Sequence, residues 1–195
     1  MSSFDQAVLT IIQHETLPPH TDGSFTVTSG DRGGATKWGV SLRFFQEEFP
    51  ALGVTLSFPV PASADDIKAL TRDQACQVYR VCWWDRYGYG RLVDQNVATK
   101  VFDMAVNMRR QAAHRIVQEA IAACGVRLLV DGIFGNDTIR AANGVNPKNL
   151  LFAMTVKQAA HYQSICTADP TQEKFRNGWM ARAAWPFPAR ASIIA

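Results

Sequence analysis

The residues best suited to chemistry cluster near the start of the chain: Glu15, then Asp22, Asp31, Thr36 and Trp38. Glu15 follows Ile11 by one helical turn, on the extension of an apolar stripe formed by Phe4, Val8, Ile11 and Ile12. Loss of water and the negative end of a helix dipole both favour the neutral form of a carboxyl so placed. That is the setting of a general acid. Asp31 is the better candidate for a second carboxylate and Asp22 the weaker, because Asp22-Gly23 is a common turn pair.

The elements that must position these groups are legible. Ser3 and Gln6 form a capping-box pattern that opens a helix, and Pro18-Pro19 stops it after Glu15. Ser24 to Thr28 alternates like a strand, and Ser29 to Gly34 is a turn. Ala35 to Val40 then runs back, so a glycine-rich hairpin carries Asp31, Thr36 and Trp38 past the helix end towards Glu15.

Helical signals dominate the remainder. Ser41 caps a short helix to Phe49, and Pro50 to Ala62 is a surface loop. Ser63 with Asp66 and Thr71 with Gln74 mark two more helix starts. The second of these helices carries Ala75, Val78, Tyr79, Cys82 and Trp83 on one face, and runs into the aromatic cluster Trp84 to Gly90. Asp94 to Met108 is the central helix, with Val97, Val101, Phe102 and Ala105 inward and Asp103 and Asn107 sharing a face. Gln111 to Cys124, a helix from Asn136 or Asp137 to Gly144, and a long helix from Pro147 to about Cys166 come next; Asp169-Pro170 opens the last. The expected fold is mainly α: a helical bundle around a central helix, with one small β-hairpin lobe.

Composition narrows the class. With 195 residues, 47% of them hydrophobic, the chain can bury a core without staples. A formal charge of +3 without a basic, aromatic-interleaved run gives no nucleic-acid signature. The N-terminus has neither the basic region of a signal peptide nor the apolar length of a membrane span, so a cytoplasmic protein without membrane insertion is expected. Cys76, Cys82, Cys124 and Cys166 lack metal-ligand spacing and read as reduced, small hydrophobes. Asp131-Gly132-Ile133-Phe134-Gly135 lacks the alternating acids of a calcium loop and reads as a structural turn. No metal or cofactor is expected.

Several ordered motifs resemble the glycosyl hydrolase 108 family of phage endolysins and bacterial muramidases. They are His14-Glu15, Asp31 to Val40, Trp84, Asp103 to Asn107, Asp131 to Gly135, and Phe175 with Gly178-Trp179 and Arg182. Thr16-Leu17 stand where the family has two glycines, and Arg32 where it has proline. The resemblance implies a lysozyme-like fold over residues 1–195, with a catalytic segment at 1–92 and a helical, predicted peptidoglycan segment at 93–195. It implies hydrolysis of the β-1,4 bond between N-acetylmuramic acid and N-acetylglucosamine, with Glu15 as acid, Asp31 or Asp22 as second group, and Thr36 positioning water. Trp38, Tyr87, Asp103 and Asn107 are then the expected substrate contacts, with Asn107 either touching substrate or holding the water; the alternative for Asp103 and Asn107 is a buried polar pair bracing helix ends. The expected partner is the peptidoglycan glycan strand, met by a monomer that a holin releases. The rival expectations are a lytic transglycosylase and a non-catalytic wall-binding or secretion-assisting protein.

Overall fold

The computed structural model describes residues 1–16, 23, 25–27 and 34–187, which divide into two compact units at Gly90 and Arg91, with Met1–Ser2 belonging to the second. The first unit opens with α1 (Phe4–Glu15), whose Ser3 cap accepts from the Gln6 amide at 3.4 Å. Phe4, Val8, Ile11 and Ile12 are buried as the periodicity requires, joined by Ala7. At the other end Thr16 donates both its amide and its hydroxyl to the Ile12 carbonyl, at 2.9 and 2.5 Å. That closes the helix one residue past Glu15; Pro18 and Pro19 lie outside the described residues.

Three short antiparallel strands come next: β1 (Thr26–Val27), β2 (Ala35–Lys37) and β3 (Val40–Ser41), in that order across the sheet. Thr36 pairs with Thr26 on one side and Ser41 on the other. The segment Ala35 to Val40, expected as a single strand, therefore turns back on itself at Trp38-Gly39. Both turn residues have positive φ, 55° and 75°, the signature of a two-residue I′ hairpin. Tryptophan carries no turn signal, and left-handed backbone costs a non-glycine residue about 1–2 kcal/mol. Only tertiary contacts hold it there.

The capping boxes expected at Ser63 and Thr71 form reciprocally, opening α2 (Ala64–Ala69) and α3 (Arg72–Tyr79). Beyond Tyr79 the helix widens into a π-turn, Arg80–Trp84, in which the Asp85 amide reaches back to the Arg80 carbonyl. The wider turn shifts the helical phase of the residues it contains. Trp84 rather than Trp83 therefore enters the core, where it meets Phe4 edge-on at 5.8 Å. Trp83, expected inward with Cys82, is only half-buried and stacks on Phe44 at 4.9 Å. A second π-turn, Phe44–Glu48, and a 3-10 turn, Phe49–Leu52, come after Ser41, whose hydroxyl accepts from the Phe44 amide. The short helix α4 (Asp85–Tyr87) ends at Gly88.

In the second unit the central α5 (Gln95–Asn107) starts at Asp94, whose carboxylate accepts from the Val97 amide at 2.9 Å. Its expected inward residues are buried, and so are Thr99, Lys100 and Asp103, so α5 is enclosed on almost every side. Helices α6 (Arg110–Ala123) and α8 (Pro147–Ala168) pack against it and each other, and α9 (Arg176–Ala184) packs on α8. Asn136, one of the two expected starts, is the first residue of α7 (Asn136–Gly144), and the N-cap before it is Gly135, with no side-chain cap. Asn146 caps α8 as expected, while Asp169-Pro170 opens a 3-10 turn, Pro170–Phe175, ahead of α9. All four cysteines are free.

Candidate active site

Glu15 sits half-buried at the last position of α1, directly against the Trp38-Gly39 turn. A Cβ placed on Gly39 would stand 2.7 Å from the Glu15 Cγ, 2.8 Å from its Cβ and 2.5 Å from the Tyr79 hydroxyl. Glycine is therefore required twice over, by its positive φ and by the close approach of the carboxylate stem.

The turn is anchored from three directions. The Trp38 amide donates to the Gly23 carbonyl at 3.3 Å, and its indole N–H donates to the Leu70 carbonyl at 3.2 Å. The Trp38 carbonyl accepts the Tyr79 hydroxyl at 2.8 Å. Gly23, itself at positive φ, lies flat against the indole where any side chain would collide with it. Next to Trp38, the Lys37 ammonium donates to the Lys68 carbonyl at 2.7 Å. These bonds fix the turn, and the turn fixes the side of Glu15 that faces it.

Of the expected residues, Glu15 and Trp38 are thus brought together, with Thr36 two residues before Trp38 at the half-buried centre of the sheet. Trp38 serves first as an anchor. Asp22 and Asp31 lie outside the described residues. Tyr87 is half-buried on α4, stacked on Tyr89 at 5.8 Å, with the Arg86 guanidinium 6.0 Å from its ring.

Asp103 corrects the expectation of a substrate contact. It is 0% exposed, and Arg182 of α9 grips both its oxygens at 2.8 to 3.1 Å. Nearby, the buried Lys100 ammonium donates to the carbonyls of Ala183 and Trp185 at the end of α9. Burial pushes this lysine down to about 8, while the Asp103 charge opposes the shift. Together these groups tie α5 to α9 internally, and no carboxylate oxygen is left for a ligand. Asn107, one turn on and half-buried, accepts the Tyr162 hydroxyl at 2.5 Å; that hydroxyl accepts from Gln158 at 3.0 Å. The bond between Asn107 and Tyr162 ties the end of α5 to α8.

Sequence reasoning missed Tyr79 and Gly39. Tyr79 lay on the apolar face of its helix and read as core; its hydroxyl, which a buried tyrosine must satisfy, was the available signal. Among the described residues no cluster of His, Cys, Asp or Glu could hold a metal ion, and no helix is long and apolar enough to cross a membrane.

Residues 17–108 match the model of the family Glycosyl hydrolase 108, and residues 112–184 match the Predicted Peptidoglycan domain. The first match begins just after Glu15. No curated protein matches the chain. Among solved structures the chain is similar to that of Brucella abortus SagA, with a TM-score of 0.68 and 21% identity, over 93% of this chain and 89% of that one. That similarity establishes the mainly α, lysozyme-like fold. The first part of the chain thus matches the glycosyl hydrolase 108 family and the second the Predicted Peptidoglycan domain, and together the two matches mark a peptidoglycan-degrading glycosidase.

Proposed function

We propose that the chain is a muramidase that hydrolyses the β-1,4 bond between N-acetylmuramic acid and N-acetylglucosamine, with Glu15 as the general acid. The observation that carries this reading is the seat of Glu15: a carboxylic acid at a helix end, held on one side by a glycine that nothing larger could replace. A general acid must stand in one place to protonate a leaving oxygen, and packing of its stem supplies that constraint. Asp31 is assigned as the second carboxylate, handling water or the oxocarbenium-like centre, and Thr36 as the residue that orients the water. Endolysin action, with the wall reached once a holin has breached the membrane, is the biological setting of this reading.

The test is product analysis on purified peptidoglycan. Hydrolysis gives reducing N-acetylmuramic acid ends, and the Glu15→Gln enzyme gives none above background. Anhydro-muramic ends would show a lytic transglycosylase instead, and binding to sacculi without any soluble product would show a wall-binding protein.

A further inference from the structure

The segment between α6 and α7 combines an elaborate internal anchorage with apolar side chains left in water. Gln118, 1% exposed on α6, donates to the Asp131 carboxylate at 2.8 Å and to the Ile133 carbonyl at 3.1 Å, and accepts from the Gly132 amide at 2.8 Å. The buried His114 ring donates to the Gly132 carbonyl at 3.2 Å, and Arg115 donates to the Val130 carbonyl at 3.0 Å. A buried polar network of this kind rigidifies whatever it holds. Yet the segment it holds presents Leu129 at 75% and Ile133 at 68% exposure. A turn serving only the core would direct such side chains inward, as Phe134 is directed.

Leu129 and Ile133 line a concavity of about 790 Å³ together with Arg127, Thr138 and Arg140. Arg127 is exposed and enters no ion pair among the described residues. Arg140 stands 3.6 Å from Asp137, with both side chains largely in water. A pair this exposed is worth little and exchanges readily for a ligand carboxylate. Asp131, the other acid at the rim, accepts from Gln118 and the Ile133 amide through Oδ1 alone, neutral donors that leave its charge in place. The concavity is lined by two guanidiniums, the carboxylates of Asp131 and Asp137, and the aliphatic side chains of Leu129 and Ile133. It offers no aromatic face of the kind on which pyranose rings stack.

We propose that this concavity binds the stem peptide of peptidoglycan, with Arg127 and Arg140 on its free carboxylates and Leu129 and Ile133 against its aliphatic side chains. The second unit then recognises peptide-bearing wall, while the glycan bond is left to the first unit. This rests on the reading of the chain as a peptidoglycan-degrading enzyme.

The test uses the full chain carrying Glu15→Gln, so that glycan stays intact, with purified sacculi and with glycan strands freed of stem peptides by an amidase. Intact sacculi should retain the protein at least about tenfold more strongly than stripped strands. Arg127→Ala with Arg140→Ala, two solvent-exposed changes, should lose about the same factor on intact sacculi and almost nothing on stripped strands; tenfold corresponds to 1.4 kcal/mol. Equal retention on the two materials, or an undiminished double variant, would overturn the peptide site alone. Failure of the parent chain to bind intact sacculi would overturn the site and the peptidoglycan reading together.

Discussion

The Tyr79 hydroxyl donates to the Trp38 carbonyl at 2.8 Å, across 41 residues of sequence, and so joins α3 to the turn that packs on Glu15. Removing only that hydroxyl, with Tyr79→Phe, keeps the ring and its 5.8 Å contact with Trp83. A single hydrogen bond contributes about 0.5–1.5 kcal/mol, so the protein should stay folded with a modest drop in Tm. Turnover should fall about three- to tenfold with KM little changed, because the turn no longer holds Glu15 in one place. Combined with Glu15→Gln, the change should cost no further activity. An additive loss in the double variant would mean that Tyr79 acts on something other than Glu15.

Gly39→Ala tests the same contact from the other side. The new methyl meets the Tyr79 hydroxyl and the Glu15 stem at 2.5 to 2.8 Å, on backbone at φ 75°. We expect destabilisation of about 1–3 kcal/mol together with loss of most activity. Gly53→Ala, also at positive φ but with open space around it, should destabilise while leaving the activity of folded enzyme intact. Equal activity losses in the two variants would count against a specific role for the Gly39 contact.

Glu15→Gln preserves volume and removes the transferable proton. General acid catalysis contributes about 10²–10⁴-fold, so turnover should fall by at least about 100-fold while sacculus binding persists. A variant retaining more than about a tenth of wild-type turnover would end the assignment. Asp31→Asn should lower turnover more than Asp22→Asn does, and the reverse order would transfer the second-carboxylate role to Asp22.

Asp103 should behave as a structural residue. Asp103→Asn leaves the Arg182 guanidinium and the Lys100 ammonium in a buried site without their counter-charge. Breaking a buried pair on one side costs about 3–5 kcal/mol. The expected result is a large fall in Tm by calorimetry, with KM on residual folded enzyme unchanged. A raised KM at unchanged Tm would restore the substrate contact that the sequence resemblance implies.

Acid should destabilise the second unit through His114. Burial, with a smaller contribution from the Arg110 charge, pushes this imidazole from 6.5 down to about 4, against the opposing bond to Gly132. Between those values the unfolded chain binds a proton that the folded chain refuses, so stability falls as pH drops from about 6.5 to about 4 and levels off below. At 1.36 kcal/mol per pKa unit the effect is on the order of 3 kcal/mol. In thermal melts across this range, His114→Gln should flatten the pH dependence relative to wild type. An unchanged slope would place the acid sensitivity elsewhere.

The sequence by itself determined the helices and much of their punctuation. The pairs Ser63 with Asp66 and Thr71 with Gln74, and the caps Asp94 and Asn146, act on amides within three residues, so local order was enough to read them. Helical period likewise brought Phe4, Val8, Ile11 and Ile12 to one face and Glu15 to its end. Tertiary structure decided the rest, wherever a residue's state depends on partners far along the chain. Trp38 adopts a glycine-like φ only because Gly23, Leu70 and Tyr79 hold it there. Trp83 leaves the buried face and Trp84 enters the core because a π-turn shifts the helical phase, which a fixed 3.6-residue period cannot anticipate. Asp103, on the same helix face as Asn107, became an internal ion-pair partner because Arg182, 79 residues away, reaches it first.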